Sequence, residues 1–137
     1  MSVGIVLVTH EQLGAQLAAI AATICCRDIA SIAQVAVPSN IEPQQLGKFA
    51  DQIRDTMTRM DSGAGVLVLT DVYGATPDNL ARYFGAQCNA VVISGVNLPM
   101  LLRVLNYPEQ SLQQLCDTAV SGARSGIQQN VKQQGQA

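Results

Sequence analysis

Charge is scarce in this chain. Asp, Glu, Lys and Arg make up 13 % of its 137 residues, and the formal net charge is −2. Disorder requires high net charge and few apolar residues; apolar residues here reach 48 %, so a disordered chain is excluded. A nucleic-acid reader needs a basic footprint, which this charge does not supply, and no nucleic-acid partner is expected. Long apolar runs are also missing: nothing approaches the ~20 residues of a membrane span. No basic segment or cleavage site precedes the first apolar run, so the expectation is a soluble cytoplasmic protein. The cysteines, Cys25, Cys26, Cys88 and Cys116, form no C-x-x-C pair. That argues against a disulfide framework or zinc site and for buried, reduced thiols that act as small hydrophobes. Histidine occurs once, at His10.

The length fits one domain, enough to bury a core without metals or disulfides. The expected domain covers residues 1–128, followed by a frayed or disordered Gln-rich tail at 129–137. Residues 3–8 read VGIVLV, a continuous apolar run of the kind that suits a strand covered on both faces. Leu13, Leu17, Ile20 and Ile24 then recur at helical spacing. A second strand is expected at 31–37, closed by Pro38. Leu46, Phe49, Ile53, Met57 and Met60 mark a second helix, ended by Asp61-Ser62-Gly63. Further strands are expected at 66–69 and 90–93. Thr76 as N-cap, Pro77 as first helical residue and Asp78 as a first-turn charge open a third helix. Asn97-Leu98-Pro99 opens a fourth, and Leu112, Leu115, Ala119, Ala123 and Ile127 mark a last one. Alternating strands and helices predict an α/β class with a mostly parallel sheet.

Ligands of such sheets bind beyond the carboxyl ends of the strands, where strand order reverses. Thr9-His10 follows the first strand, Thr70-Asp71 the third, and Ser94-Gly95-Val96-Asn97 the fourth. If the first and third strands are neighbours, His10 and Asp71 face one crevice. One imidazole nitrogen can then attack phosphorus while the other donates to a carboxylate, which sets the tautomer and stabilises the cationic ring. The plain alternative for Asp71 is a turn or cap residue. The loop Tyr73-Gly74-Ala75-Thr76-Pro77 leads into a helix N-terminus, where backbone N–H groups and the Thr76 hydroxyl can hold phosphate oxygens; a capped helix start is the plain alternative. Thr9, Tyr73 and Asn97 are candidates for the crevice rim, although a helix cap accounts for Asn97.

His10 with residues 3–9, the segment 66–79 (VLVLTDVYGATPDN) and the segment 92–102 (VISGVNLPMLL) resemble the IIA domain of the mannose family of the bacterial phosphoenolpyruvate-dependent sugar phosphotransferase system. The resemblance extends over residues 3–127. It implies a doubly wound α/β fold, mainly a four-stranded parallel sheet of order 2-1-3-4 with helices on both faces. It also implies a homodimer, which in some members exchanges a strand. On this resemblance His10 is the phosphorylated histidine and Asp71 its support. Gly74, Ala75, Thr76 and Pro77 form the phosphoryl-holding turn, with the Thr76 hydroxyl in contact. The implied activity is that of a phosphotransferase: the donor is phospho-HPr, the acceptor a IIB domain or protein. No cofactor or metal is implied, because the group passes from nitrogen to nitrogen.

Three positions depart from the family pattern. Glu11 stands where many members have glycine, and a carboxylate there repels a phosphoryl group or pairs with a basic partner. Ala75 replaces a glycine, so that position should not need a positive φ. Thr76 replaces serine and keeps the hydroxyl. A regulatory protein that reports phosphorylation state is the alternative function. A phospho-aspartate receiver would need acidic magnesium ligands after the first strand, where this chain has Val8-Thr9-His10. A Ser-His-Asp hydrolase would need a G-x-S-x-G elbow, which does not occur. The phosphocarrier subunit of dihydroxyacetone kinase shares the implied fold, but the Thr76-Pro77-x-Asn79 and Asn97-Leu98-Pro99 signatures look more like the mannose branch.

Overall fold

The computed structural model describes residues 1–130. In chain order the elements are β1 (Gly4–His10), α1 (Leu13–Ile24), β2 (Ile32–Val37), α2 (Leu46–Met60), β3 (Val66–Thr70), α3 (Thr76–Gly85), β4 (Ala90–Ile93), α4 (Leu98–Leu105) and α5 (Leu112–Ser125). The four strands form one parallel sheet of order β2-β1-β3-β4. The chain first steps from β1 outward to β2, then crosses back to β3 and on to β4. Because crossovers are right-handed, this reversal sends α1 to one face of the sheet and α2 and α3 to the other.

Alternation along the strands supplies both faces. Ile5, Leu7, Leu67 and Leu69 meet Ala18 and Ala21 of α1, Met100, Leu101 and Val104 of α4, and Leu115 and Ala119 of α5. Val6, Val8, Val35, Val37 and Val68 meet Ile53 and Met57 of α2 and Ala81 and Phe84 of α3. Strands covered on both sides have no polar face, which is why they read as continuous apolar runs. No helix among the described residues is long and apolar enough to cross a membrane.

The α/β class, parallel sheet and strand order match expectation, and several details differ. β1 runs through Thr9 and His10 instead of stopping before them, since His10 still pairs with Val37. Of the bulky stripe that marks α1 in the sequence, Leu13, Ile20 and Ile24 remain 46, 45 and 56 % exposed. The buried side of α1 is instead Gly14, Ala18, Ala21 and Ala22. The helix lies so close to the sheet that a Cβ at Gly14 would sit 2.9 Å from Thr9 Oγ1 and 3.3 Å from Leu7 Cβ, so only small residues fit beneath it. The cysteines were expected to be buried, but Cys26 and Cys88 are exposed and Cys25 and Cys116 only partly buried; Cys26 follows the end of α1 with a left-handed φ of 53°. Of the expected tail, 129–130 have no regular secondary structure, and 131–137 lie outside the described residues.

The close seating of α1 has a measurable consequence. Ile20→Ala should change stability by no more than about 0.5 kcal/mol, as exposed positions usually do. Ala18→Leu should cost about 1–3 kcal/mol by overpacking. Urea denaturation of both variants checks this, and the opposite order would mean that the bulky stripe is the packed one.

Candidate functional site

His10 is the last residue of β1. The β1–β3 pairing ends two residues before His10, at Val8 and Thr70, which leaves Asp71 beside His10. A single carboxylate oxygen, Asp71 Oδ2, accepts from the His10 backbone N–H at 2.9 Å and from ring Nδ1 at 2.8 Å. An ionised carboxylate only accepts, so Nδ1 donates, and the tautomer that makes this bond has its lone pair on Nε2. The His10 side chain is 31 % exposed and that of Asp71 only 7 %. Burial disfavours the charged carboxylate, but the hydrogen bonds from the His10 backbone and ring, with the nearby imidazole charge, outweigh it and hold the Asp71 carboxyl below its ordinary value. Such a pair offers a half-exposed nucleophilic nitrogen backed by a buried anion.

The loop from β3 to α3 is organised by a residue that sequence reasoning treated only as a first-turn charge. Asp78 is fully buried. Its Oδ1 accepts from the Thr70 hydroxyl at 2.6 Å, and its Oδ2 from the Gly74 N–H at 3.0 Å and Arg82 Nε at 2.8 Å. Burial again opposes the charge, and the bonds from Arg82, Thr70 and Gly74 prevail, so this carboxyl too lies below its ordinary value. The Thr-x7-Asp-x3-Arg spacing, which puts Asp78 and Arg82 one helical turn apart, was the available signal.

The helix start is corrected accordingly. Thr76 is not the N-cap: α3 begins at Thr76, and Ala75 is the cap residue, without a side-chain cap. The Ala75 carbonyl accepts the first bond of the helix from the Asn79 N–H at 2.9 Å, which brings the helix start forward by one residue. Gly74 has φ +83°, whereas Ala75 sits at −77° and needs no glycine, as expected. The Gly74 N–H is thus engaged by Asp78, and the Ala75 N–H points to the Val72 carbonyl at 3.3 Å. Thr76 stands half-buried at the first helical position.

The remaining candidates divide. Thr9, expected at the rim, is buried at 1 % exposure, and its hydroxyl accepts from the Gly14 N–H at 2.7 Å; it lies beneath the site and secures α1. Asn97 caps α4 through Met100 N–H at 2.8 Å and reaches the Ala123 carbonyl of α5 at 3.3 Å. Tyr73 is 76 % exposed, with the Arg82 guanidinium 5.1 Å from its ring centroid. Glu11 adopts a left-handed φ of +52°, the conformation that glycine takes at no steric cost. Its N–H donates to the Val37 carbonyl, and its carboxylate accepts from the Ser39 N–H at 2.7 Å, a bond that lowers its pKa. The carboxylate is therefore tied to the loop after β2.

A sequence model of the EIIA-man family, described as PTS (phosphotransferase system) fructose IIA component, matches residues 4–120. The mannose-specific EIIAB component of Escherichia coli K12 is 35 % identical over 74 residues, which are 52 % of this chain and 23 % of that protein; the match thus spans under a quarter of that relative. Among solved structures, the mannose/sorbose-specific IIA subunit of the phosphotransferase system from Enterococcus faecalis aligns with TM-score 0.81 at 20 % identity, covering 98 % of both chains. A sigma-54 interaction domain protein from the same organism aligns with TM-score 0.74 at 14 % identity, covering 90 % of this chain and 92 % of that one. At these identities the two structures show a shared fold.

The site predicts an acid limb in stability. The Asp71 carboxyl is held below its ordinary value of 3.8, so as pH falls the unfolded chain takes up this proton before the native one. The contribution is complete above the ordinary value and is lost as pH falls through the native one. Urea midpoints from pH 6 to 3 should fall on the acid side, and the fall should be smaller in Asp71→Asn. An equal fall in both proteins would show that Asp71 contributes no such term.

Proposed function

The chain belongs to the EIIA-man family of the phosphotransferase system, and from that premise we propose that it is a phosphohistidine carrier. It takes a phosphoryl group from phospho-HPr onto His10 and passes it to a IIB domain or protein. The observation that carries the proposal is the double hydrogen bond from His10 to Asp71 Oδ2, which leaves Nε2 as the free nucleophile.

In the proposed step, the Nε2 lone pair attacks phosphorus in line. The donor's nitrogen–phosphorus bond breaks, and its electron pair returns to the donor imidazole. The Nδ1 proton stays on His10, directed at Asp71, whose charge balances the ring that has become cationic. Thr76 and the N-terminal end of α3 steady the phosphoryl oxygens, with the turn Gly74-Ala75 shaping the approach. Transfer onward reverses the sequence. Little covalent work falls to other side chains, so positioning and electrostatics account for the rate. A cytoplasmic location and a homodimer belong to the same proposal; the edge strand β4, paired only with β3 among the described residues, offers an edge for a strand from a second subunit.

The fold shared with a sigma-54 interaction domain protein supports a second reading, in which phosphorylated His10 reports the state of the relay to a regulatory partner. The two differ in the fate of the phosphoryl group: a carrier discharges to IIB, whereas a reporter keeps its label.

Incubation of the purified protein with phosphoenolpyruvate, enzyme I and HPr, read by intact mass, should add one acid-labile phosphoryl group. His10→Ala should take none, and Asp71→Ala should be labelled about a hundredfold more slowly. Acid-stable label, or label retained in His10→Ala, would sink the assignment.

A further inference from the structure

We propose that Asp78 and Arg82 are positioning residues of the transfer site: a buried latch that holds the loop between β3 and α3, and with it the spacing between Asp71 and Thr76. This rests on the phosphocarrier proposal and adds residues that the first-turn pattern and the family motif leave unassigned.

The latch is built from four groups. Asp78 is fully buried, yet it lies on the first turn of α3 directly behind the loop. One of its oxygens takes the Thr70 hydroxyl; the other takes the Gly74 N–H. Thr70 is the residue just before Asp71, and Gly74 comes two residues before Thr76. A single carboxylate therefore clamps both ends of segment 70–74, which carries the histidine's support, from the same helical turn on which Thr76 stands. Thr70 is held from a second side as well, because its carbonyl accepts from the Val96 N–H at 2.9 Å.

A buried carboxylate persists only when its charge is matched. Arg82 does this through Nε at 2.8 Å while its guanidinium lies against the Tyr73 ring. Tyr73 belongs to the same loop, so Arg82 grips it twice: through Asp78 to Gly74, and directly at Tyr73. Asn79 adds a third tie, its amide donating to the Gly74 carbonyl at 2.9 Å. Gly74 can close the turn at φ +83°, but a glycine is free to leave that conformation. The latch removes that freedom. Near-attack geometry is sensitive at the level of 1 Å, and losses of a hundredfold follow from such misplacement.

Asp78→Asn tests the clamp at constant volume. The new amide can still accept from Thr70, but it turns N–H groups toward the Gly74 and Arg82 donors. Arg82→Ala and Arg82→Lys form a second series at a side chain 40 % exposed, in case the buried variant fails to fold. Two readouts are needed. Amide hydrogen exchange at Gly74, by NMR on the unphosphorylated chain, should speed up about tenfold or more in Asp78→Asn and Arg82→Ala, and less in Arg82→Lys. The rate constant for His10 labelling at saturating phospho-HPr should fall about tenfold or more in the same two variants, with half-saturation unchanged within about twofold and partial recovery in Arg82→Lys. Leu115→Ala, a core cavity in α5, should lose stability and keep its labelling rate, which separates positioning from general destabilisation.

Unchanged Gly74 exchange in Asp78→Asn and Arg82→Ala would overturn the latch. Faster exchange with an unchanged labelling rate would overturn its part in transfer. Phosphoramidate, which phosphorylates imidazole with loss of ammonia and needs no docked protein, distinguishes the remaining case. A wild-type chain labelled by neither phosphoramidate nor phospho-HPr overturns the carrier proposal and the latch's role in transfer with it, while Gly74 exchange still decides whether the clamp exists.

Discussion

Val8 and Thr70 are the last residues paired between β1 and β3. Past that point the two strands part, and the chain on each side must find other partners for its polar groups. His10 stays in the ladder with β2 on its far side, while on its near side its N–H and ring turn to Asp71. The pair is thus a continuation of the sheet by side-chain means. A carboxylate takes the place of the next carbonyl in the ladder and, in doing so, picks up the imidazole. The crevice lies where the connection reverses direction, because the helices leaving β1 and β3 depart to opposite faces.

Two buried carboxylates stand in series behind that crevice. Asp71 holds the histidine; Asp78 holds the loop from which Asp71 starts. In both, burial works against ionisation and hydrogen bonds from fixed donors overcome it. An anion kept in this way is rigid, since any rotation forfeits several bonds at once. That rigidity suits the proposed carrier, in which a group is held briefly and released: the geometry does not have to be rebuilt at each transfer.

Glu11 shows how a family position can keep its backbone requirement while changing its residue. The turn after β1 requires a left-handed φ, and Glu11 adopts +52°. The conformation is retained because the N–H bonds Val37 and the side chain bonds Ser39. A glycine would meet the first demand without the second. The carboxylate, for which the family resemblance left either repulsion of a phosphoryl group or pairing with a basic partner, accepts from the Ser39 N–H of the loop after β2.

Continuous apolar strands, helical spacings and the Asn97 cap were legible in the amino-acid order, because each depends on neighbours within a turn or a strand. So was the pairing of a strand-end histidine with a strand-end aspartate, once parallel order was assumed. The side on which α1 packs was not. Its sequence is apolar nearly all round, so periodicity singled out the bulky residues, whereas the distance between helix and sheet admitted only the small ones. Nor was the role of Asp78: an acid in the first turn looks like a solvated helix cap until the fold brings Thr70, Gly74 and Arg82 around it. Local order thus settled which elements form and which residues are candidates for chemistry. Long-range packing settled which faces are buried and which carboxylate holds which loop, because burial and hydrogen-bond partners are properties of the assembled layers and not of any segment.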